Sequence, residues 1–401
     1  MTAPNTPKID NLNLILKKYH RILLSGLIFL FFAHGLLYVF NPQDIYNASS
    51  PIKLIKYVII LAFFILNVRK LNYSRLLILV LWFIGLFFFH YFSREIGLGV
   101  TPKSIALGLM GYSFPMLIIV LYPSLRKFNF IPIASWVLFI ASIVGYVEFL
   151  FLRGLFEKFS SAGYRVVSIF VNPNNAGIIF ALMTYFVLEK MNFKSKRSQI
   201  IKAIVILNGA AIIFLTGSKT ALAALTLFLG LHFIKEMIKN TNELLLNVGK
   251  FFYVLSLIGL SLIAVFEDRV VDKFSALSLG GDSREMSFNT GRIRLQSAIE
   301  FFDRVGDNFF YPYRSSVMYI DNMYLEMWGD FGLLILLLFL TFNIYLFFRC
   351  LKTSAIFEAS LLFVILVLGL STNFIYLWPI GYIYWFLALE IQSKKDKLIK
   401  R

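Results

Sequence analysis

Long apolar runs recur along almost the whole sequence, separated by short polar segments. They fall at 22–40, 52–68, 76–92, 104–122, 131–152, 173–189, 200–216, 220–234, 250–266, 323–348, 356–373 and 375–391. Most have close to the roughly 17–25 residues that a helix needs to cross the hydrocarbon core of a bilayer. Only helices and closed barrels satisfy all their backbone hydrogen bonds in lipid. The pattern therefore predicts an all-α polytopic membrane protein with about 12 transmembrane helices.

The composition excludes a water-soluble fold and several kinds of site. Apolar types make up 59% of the 401 residues and charged types 15%, whereas soluble domains are about half apolar and a quarter charged. The single Cys350 excludes an intramolecular disulfide. The four histidines lie far apart without metal-ligand spacing, so no metal site is predicted. The net charge of +17 lies in short clusters between apolar runs, which indicates membrane topology and not nucleic-acid binding.

Lysine and arginine are shared unequally between alternate loops. With the N-terminus in the cytoplasm, the cytoplasmic segments hold 24 of the 39 cations, and seven of the other 15 belong to one long loop that counts little in the positive-inside rule. Both termini are therefore predicted to be cytoplasmic. The chain divides into residues 1–266 with nine helices, an external loop at 267–320, and residues 321–401 with three helices and a basic tail.

The external loop carries the largest polar segment of the chain, with 15 charged side chains. Apolar residues recur within it at helical spacing, which predicts an amphipathic helix at the membrane surface, capped by Thr290. These residues are Leu295, Ala298, Ile299 and Phe302. Arg292 and Arg294 stand at its start, where two guanidinium groups beside a helix N-terminus suit a diphosphate. The alternative is surface charge in contact with anionic lipid.

Two further polar clusters lie on the predicted external side. Arg165, Asn172 and Asn174 surround Pro173, which favours a helix start, so a cation and amides are predicted to face the external mouth. The alternative is a plain helix cap with a snorkelling Arg165. The segment 216–220, Thr-Gly-Ser-Lys-Thr, predicts a tight turn whose amides and cation can bind phosphate. It lacks the spacing of a Walker loop, and the alternative is a re-entrant turn that joins two helices.

A fourth cluster, with three carboxylates, opens the tenth run. Asn322, Glu326 and Asp330 share one helix face at i, i+4 and i+8, and Asp330 lies roughly 13 Å along the helix from Asp321. The helix macrodipole explains an acid in the first turn but not Asp330, so a cavity or catalytic face is predicted. Glu148 in the fifth run is a further candidate, with snorkelling to the nearby surface as the alternative.

Together these motifs resemble the O-antigen polymerase and O-antigen ligase superfamily of bacterial inner-membrane glycosyltransferases. The resemblance covers roughly 165–332 and rests on NPNNAG, TGSKTA, the Gly-Arg of the loop helix and DNMYLEMWGDFG, in that order, within a twelve-span layout. It implies a GT-C-like architecture and transfer of a glycan from undecaprenyl pyrophosphate to an acceptor hydroxyl at the periplasmic face. It implies no cofactor, nucleotide sugar or ATP at that face.

The resemblance also implies roles for individual residues. Arg165, Lys219 and Arg292 match positions associated with binding pyrophosphate, and Lys219 stands where family members usually carry Arg. Asp321 stands where ligases carry the histidine that activates the acceptor, and it is the expected general base. Asp330 matches an acidic position of the family motif. Further contacts with pyrophosphate or glycan are expected from Arg294, Asn172, Asn174, Ser218, Asn322, Tyr324 and Glu326.

The absence of the ligase histidine favours a polymerase, which joins lipid-linked repeat units to each other. Its expected partners are the lipid-linked donor and acceptor, membrane lipids and, from the family, a chain-length regulator protein, with no nucleic acid. One alternative is a ligase that transfers the glycan to lipid A core. The other is a transporter of a lipid-linked oligosaccharide, for which inverted repeats would be expected.

Overall fold

The computed structural model describes the greater part of the chain. The described residues are 19, 22–32, 51–68, 71–98, 112–126, 128, 130–152, 165–170, 173–191, 195–239, 299–303, 305–306, 309–310, 322–375 and 379–394. Within these ranges the chain forms helices and turns, without a β-strand. Helices occur at eleven of the predicted runs, and the ninth run, 250–266, lies outside the described residues.

The described helices follow the apolar runs closely. They are α1 Ile22–Phe32, α2 Pro51–Leu66, α3 Tyr73–Leu98, α4 Tyr112–Leu125, α5 Phe130–Val147, α6 Pro173–Lys190, α7 Lys196–Thr216, α8 Lys219–Lys239, α9 Met323–Thr353, α10 Ile356–Leu368 and α11 Ile380–Ser393. A π-helical turn, Glu148–Leu152, extends α5. The tenth predicted run forms α9, and the last run begins as a helix later than predicted, at Ile380.

The lengths and surfaces of these helices are those of a helical membrane protein. Among the described residues, three helices are long and apolar enough to cross a membrane: Phe130–Leu152, Arg197–Thr216 and Met323–Thr353. Large apolar side chains also cover the outside of the bundle, as at Trp136, which is 60% exposed, and Leu334, which is 70% exposed. A surface of this kind matches hydrocarbon and not water.

Helix α6 is the central helix of the bundle. It packs against α5, α7 and α8, and its side chains are buried on every face. Tyr185 lies between two aromatic rings, 4.4 Å from the ring centre of Phe228 in α8 and 5.6 Å from that of Phe357 in α10. A helix that is apolar on every face belongs in the interior of a bundle, and α6 therefore lies enclosed among its neighbours.

Small residues allow the close approach of α6 to its neighbours. A Cβ added to Gly177 would lie 2.6 Å from Ala221 Cβ of α8 and 2.8 Å from Thr216 Oγ1 of α7. A Cβ added to Gly209 of α7 would likewise collide with Thr184 Oγ1 of α6. Helices in a membrane associate through such close packing, because lipid is as apolar as the side chains it would replace.

A second apolar cluster stands beside the main core. It is formed by α1, α2 and α4, and Tyr382 of α11 joins it, with Phe31 of α1 packed edge-on against the Tyr382 ring at 5.1 Å. The main core is formed mostly by α5 to α11, including the buried faces of α6 and α8, and Leu86 of α3 and Tyr112 of α4 also belong to it. The bundle therefore has two packed layers that meet along α11 and α5.

A group of polar contacts lies at each end of the bundle. At one end, called the Glu189 end, Glu189 Oε1 of α6 lies 2.6 Å from His232 Nδ1 of α8, and Lys202 Nζ of α7 lies 2.8 Å from His232 Nε2. Because an ammonium group donates and does not accept, the ring accepts at Nε2 and donates from Nδ1 to Glu189. Lys235 also donates to Glu189. These contacts tie α6, α7 and α8 together at that end.

The substitution Gly177→Ala tests the close contact between α6 and the start of α8. The added Cβ overpacks the contact with Ala221, which costs about 1–3 kcal/mol, so the thermal unfolding midpoint in detergent should fall. The matched control is Gly230→Ala in α8, where an added Cβ meets nothing within 4 Å, and its midpoint should not fall. Tryptophan fluorescence measures both midpoints. Equal midpoints for the two variants would contradict the packing described.

Candidate functional site

Arg165 joins two of the predicted clusters at the end of the bundle opposite Glu189. Its Nε donates to the backbone oxygen of Thr216 at 2.7 Å, and its Nη2 donates to Asn174 Oδ1 at 2.7 Å. Thr216 ends α7 and Asn174 lies in the first turn of α6. The guanidinium group is thus held between the end of α7 and the start of α6. This end of the bundle is called the Arg165 end.

Glu148 holds the backbone that carries Arg165. The Glu148 carboxylate is 2% exposed and accepts hydrogen bonds from the backbone N–H groups of Val167, at 3.0 Å, and Ser168, at 2.7 Å. Ser168 has a left-handed backbone with φ of 49°, and its hydroxyl donates to Ala141 O at 2.6 Å. The carboxylate is directed into the protein, so the snorkelling alternative for Glu148 is wrong.

Residues 216–220 form a tight turn that joins α7 to α8. Gly217 has φ of 63° and caps α7, a conformation that glycine adopts without strain. The Ser218 hydroxyl is buried and accepts a hydrogen bond from the Ala221 N–H at 3.3 Å, which caps the start of α8. Lys219 is the first residue of α8, and its side chain lies outside the described residues. The turn therefore places a helix N-terminus beside Arg165.

The start of α9 is fastened to the end of α10. Asn322 caps α9 by accepting from the N–H groups of Tyr324, at 3.0 Å, and Leu325, at 3.1 Å, and its Nδ2 donates to Leu370 O. The Tyr324 hydroxyl donates to Leu366 O at 2.7 Å. Both predicted contact residues therefore hold the backbone in place at this end.

The two predicted carboxylates of α9 are buried one helical turn apart. Glu326 is 8% exposed and Asp330 is 9% exposed, on the same face of the helix. Asn373 Nδ2 donates to Glu326 Oε2 at 2.5 Å and to the Tyr112 hydroxyl at 3.1 Å. A buried carboxylate that is fixed by an amide in this way has a defined orientation.

Asn373 and Tyr112 also belong to this cluster, although no motif in the sequence indicates them. Asn373 ends the eleventh predicted run, and Tyr112 lies inside the fourth. The available signal was weak, because it consisted of single polar residues within apolar segments near the predicted external side. These two residues matter because Asn373 bonds both Glu326 and Tyr112. That contact exists only when α4, α9 and the segment after α10 pack together.

A break at Gly332 separates the first turns of α9 from its long remainder. Gly332 has φ of 81° and ψ of 166°, a conformation that is essentially restricted to glycine. The Leu333 N–H donates to Phe310 O at 2.8 Å, so a backbone donor next to the break has a partner. Trp328 Nε1 donates to Phe309 O at 2.9 Å. The segment 309–310 therefore covers the break.

The described part of the external loop contacts the same short half of α9. Residues 299–303 are helical, and the fully buried Phe301 packs edge-on against Trp328 at 5.6 Å. Ile299 and Phe302, which belong to the predicted apolar face, are 53% and 55% exposed. That face therefore points away from the bundle, and Phe301 makes the contact that the sequence did not predict. Thr290, Leu295 and Ala298 lie outside the described residues.

The starts of α6, α8 and α9 lie at the Arg165 end. The Ser371 hydroxyl donates to Thr220 Oγ1 at 3.3 Å, which links the start of α8 to the segment that holds the start of α9. Gly177 in turn brings the start of α6 against the turn before α8. Each helix start carries partial positive charge, and together with Arg165 these starts form an end of the bundle that can hold an anion.

Some predicted site residues lie outside the described residues. These are Asn172, Arg292, Arg294 and Asp321, together with the side chain of Lys219. Their roles stay predictions. Within the described residues, no group of three or more His, Cys, Asp or Glu side chains is arranged to hold a metal ion.

No protein-family model matches the chain, and no curated protein matches it. The function is therefore inferred from the residues and their geometry.

The substitution Glu148→Gln tests whether this carboxylate holds the Arg165 segment. The glutamine oxygen can still accept from one of the two backbone N–H groups, but its NH₂ group would face the other N–H, which then has no acceptor. The variant should therefore lose about 1–3 kcal/mol of stability and unfold at a lower temperature in detergent. The control is Glu390→Gln, because its carboxylate accepts one bond from the Tyr122 hydroxyl, which an amide oxygen can replace. If both variants unfold at the same temperature, Glu148 does not anchor the segment.

Proposed function

We propose that the protein is an O-antigen or related surface-polysaccharide polymerase, a glycosyltransferase of lipopolysaccharide biosynthesis. It transfers a glycan from undecaprenyl pyrophosphate onto the next lipid-linked repeat unit at the periplasmic face of the bacterial inner membrane. In this proposal the chain crosses the membrane twelve times in a GT-C-like arrangement. Both termini lie in the cytoplasm, and the Arg165 end faces the periplasm beneath the loop 267–320.

The observation that carries this proposal is that Arg165 is bonded to the end of α7 and to the first turn of α6, beside the turn from which α8 starts. The start of α9 is linked to the same region through Ser371 and Thr220. A pyrophosphate brings several negative charges to the membrane surface, and it is best held by cations and backbone dipoles that are already oriented. Arg165 is oriented by Thr216 and Asn174, so little reorganisation is needed when the anion binds. Arg292 and Lys219 are proposed to complete the anion site.

The proposed reaction is a displacement at the anomeric carbon of the donor sugar. The acceptor hydroxyl of the next repeat unit forms the new C–O bond, and the bond from the anomeric carbon to the pyrophosphate oxygen breaks. Asp321 takes the proton of the acceptor hydroxyl as general base. Undecaprenyl pyrophosphate leaves with an additional negative charge, and Arg165 with its companion cations stabilises that charge as it develops.

The buried carboxylates of α9 have a supporting role in this scheme. Glu326 is held by Asn373 next to the start of α9, and Asp330 lies one turn deeper on the same face. Carboxylates accept hydrogen bonds from sugar hydroxyls or orient a nearby arginine. Because they sit on the short half of α9 before Gly332, their positions depend on the break in that helix.

Two other functions use the same features in part. A ligase would bind the same donor and transfer its glycan to lipid A core, and the aspartate at position 321 in place of histidine favours the polymerase. The broken α9 is an observation that favours a transporter of a lipid-linked sugar, because transporters bind substrate at interrupted helices. A transporter forms no glycosidic bond, which separates it from both transferases.

The test uses purified full-length protein with a synthetic undecaprenyl-pyrophosphate-linked repeat unit. The wild type should form polymer, and Arg165→Ala should reduce the transfer rate by about 10²–10³, the loss typical for a group that stabilises developing charge. Arg165→Lys should retain part of the rate, because it keeps the charge without the fork of donors. The readout is chain length and released undecaprenyl pyrophosphate.

The control is Arg75→Ala, because Arg75 also donates to a backbone oxygen, that of Ile119, but lies on α3. This variant should polymerise at the wild-type rate. No new glycosidic bond from the wild type would overturn the polymerase. Wild-type transfer by Arg165→Ala would remove Arg165 from the anion site.

A further inference from the structure

A cavity of about 430 Å³ lies between the main core and the second apolar cluster. Its lining comes from both layers of the bundle and from seven helices, α1, α2, α4, α5, α6, α10 and α11. It includes Phe31, Phe63, Leu121, Ala134, Leu361 and Tyr382. All the charged residues of the lining belong to the half of the bundle next to Glu189. The cavity is therefore separate from Arg165 and from the start of α9.

The lining indicates what kind of molecule fills this cavity. Most of the side chains that face it are aliphatic or aromatic, and such walls favour an apolar occupant over water. An apolar chain in a space of this size gains van der Waals contacts with the lining. Because the outer surface of the protein suits a hydrocarbon environment, a lipid acyl chain is the apolar molecule available to fill the cavity.

The charges at the rim indicate the head group. Glu358 is neutralised by Lys394, whose Nζ lies 2.8 Å from its Oε2, and Glu390 accepts from the Tyr122 hydroxyl at 2.8 Å. Arg126 is exposed, and within the described part of the chain its guanidinium group makes no hydrogen bond or ion pair. Lys190 also lines the rim, 3.9 Å from Glu358. One available arginine suits a phosphodiester with a single negative charge.

We propose that this cavity binds an acyl chain of a glycerophospholipid whose phosphate contacts Arg126. The lipid fills the seam between the second apolar cluster and the main core and holds the two layers together. Its site is at the Glu189 end, so it belongs to the leaflet opposite the proposed reaction. This inference depends on the apolar lining and the rim, and it stands whether or not the protein is a polymerase.

The first experiment measures phospholipid retained by full-length protein after purification in mild detergent, using native mass spectrometry. The wild type should carry one glycerophospholipid. Ala134→Phe places a ring in the cavity and should abolish this retention. The matched control is Ile143→Phe on the same helix, where the side chain is 47% exposed on the outside of the bundle, and it should retain the lipid.

The second experiment adds phosphatidylglycerol to delipidated protein and follows the thermal unfolding midpoint. The midpoint should rise for the wild type and for Ile143→Phe but not for Ala134→Phe. Arg126→Gln should weaken the apparent affinity by about fivefold, the factor expected for one cation beside an anionic lipid. If Ala134→Phe does not fold, Leu361→Trp fills the same cavity from α10.

Three results would overturn the proposal. The first is a wild-type protein that carries no phospholipid and gains no stability from phosphatidylglycerol. The second is equal retention by the cavity-filled variant and the Ile143→Phe control. The third is a polyprenyl lipid bound in place of a glycerophospholipid, which would assign the cavity to the lipid carrier.

Discussion

Backbone groups that are removed from water need partners within the protein, and this constraint shapes the Arg165 end. Among the described residues, two departures from regular helix there, at 167–168 and at Gly332, have specific partners. The amides of Val167 and Ser168 donate to Glu148, and the Leu333 N–H beside the Gly332 break donates to Phe310. In hydrocarbon an unpaired amide costs several kcal/mol, so irregular backbone persists only where such partners exist. The irregular segments carry the candidate site because they are held in this way.

The close packing of α6 brings these segments to one place. Gly177 allows α6 to touch the turn before α8, and the segment after α10 connects α8 to α9 through Ser371 and Thr220. The starts of α6, α8 and α9 and a fixed arginine then share one end of the bundle. In the proposed polymerase this end holds the pyrophosphate, while the Glu189 end, with the apolar cavity nearby, meets the opposite leaflet.

The sequence predicted the helices well, because a long apolar run is by itself enough to indicate a helix that can lie in a membrane. It also predicted the candidate clusters around Arg165 and Glu326 from polar residues at the ends of apolar runs. It did not predict the anchoring role of Glu148, the pairing of Asn373 with Glu326, or the contact of Phe301 with Trp328. These depend on helices that are distant in the chain, so no local pattern records them. The hydropathy pattern does not reveal the break at Gly332 either, because the apolar run continues through this position.

The most direct test of the central claim is the surface-polysaccharide ladder of a strain that lacks the gene, analysed by electrophoresis together with its undecaprenyl-linked pool. A polymerase predicts core that carries one repeat unit, with short lipid-linked units accumulating. Core with nothing attached, beside long chains that remain on the lipid carrier, would contradict the polymerase and identify a ligase. An unchanged ladder would contradict both transferases.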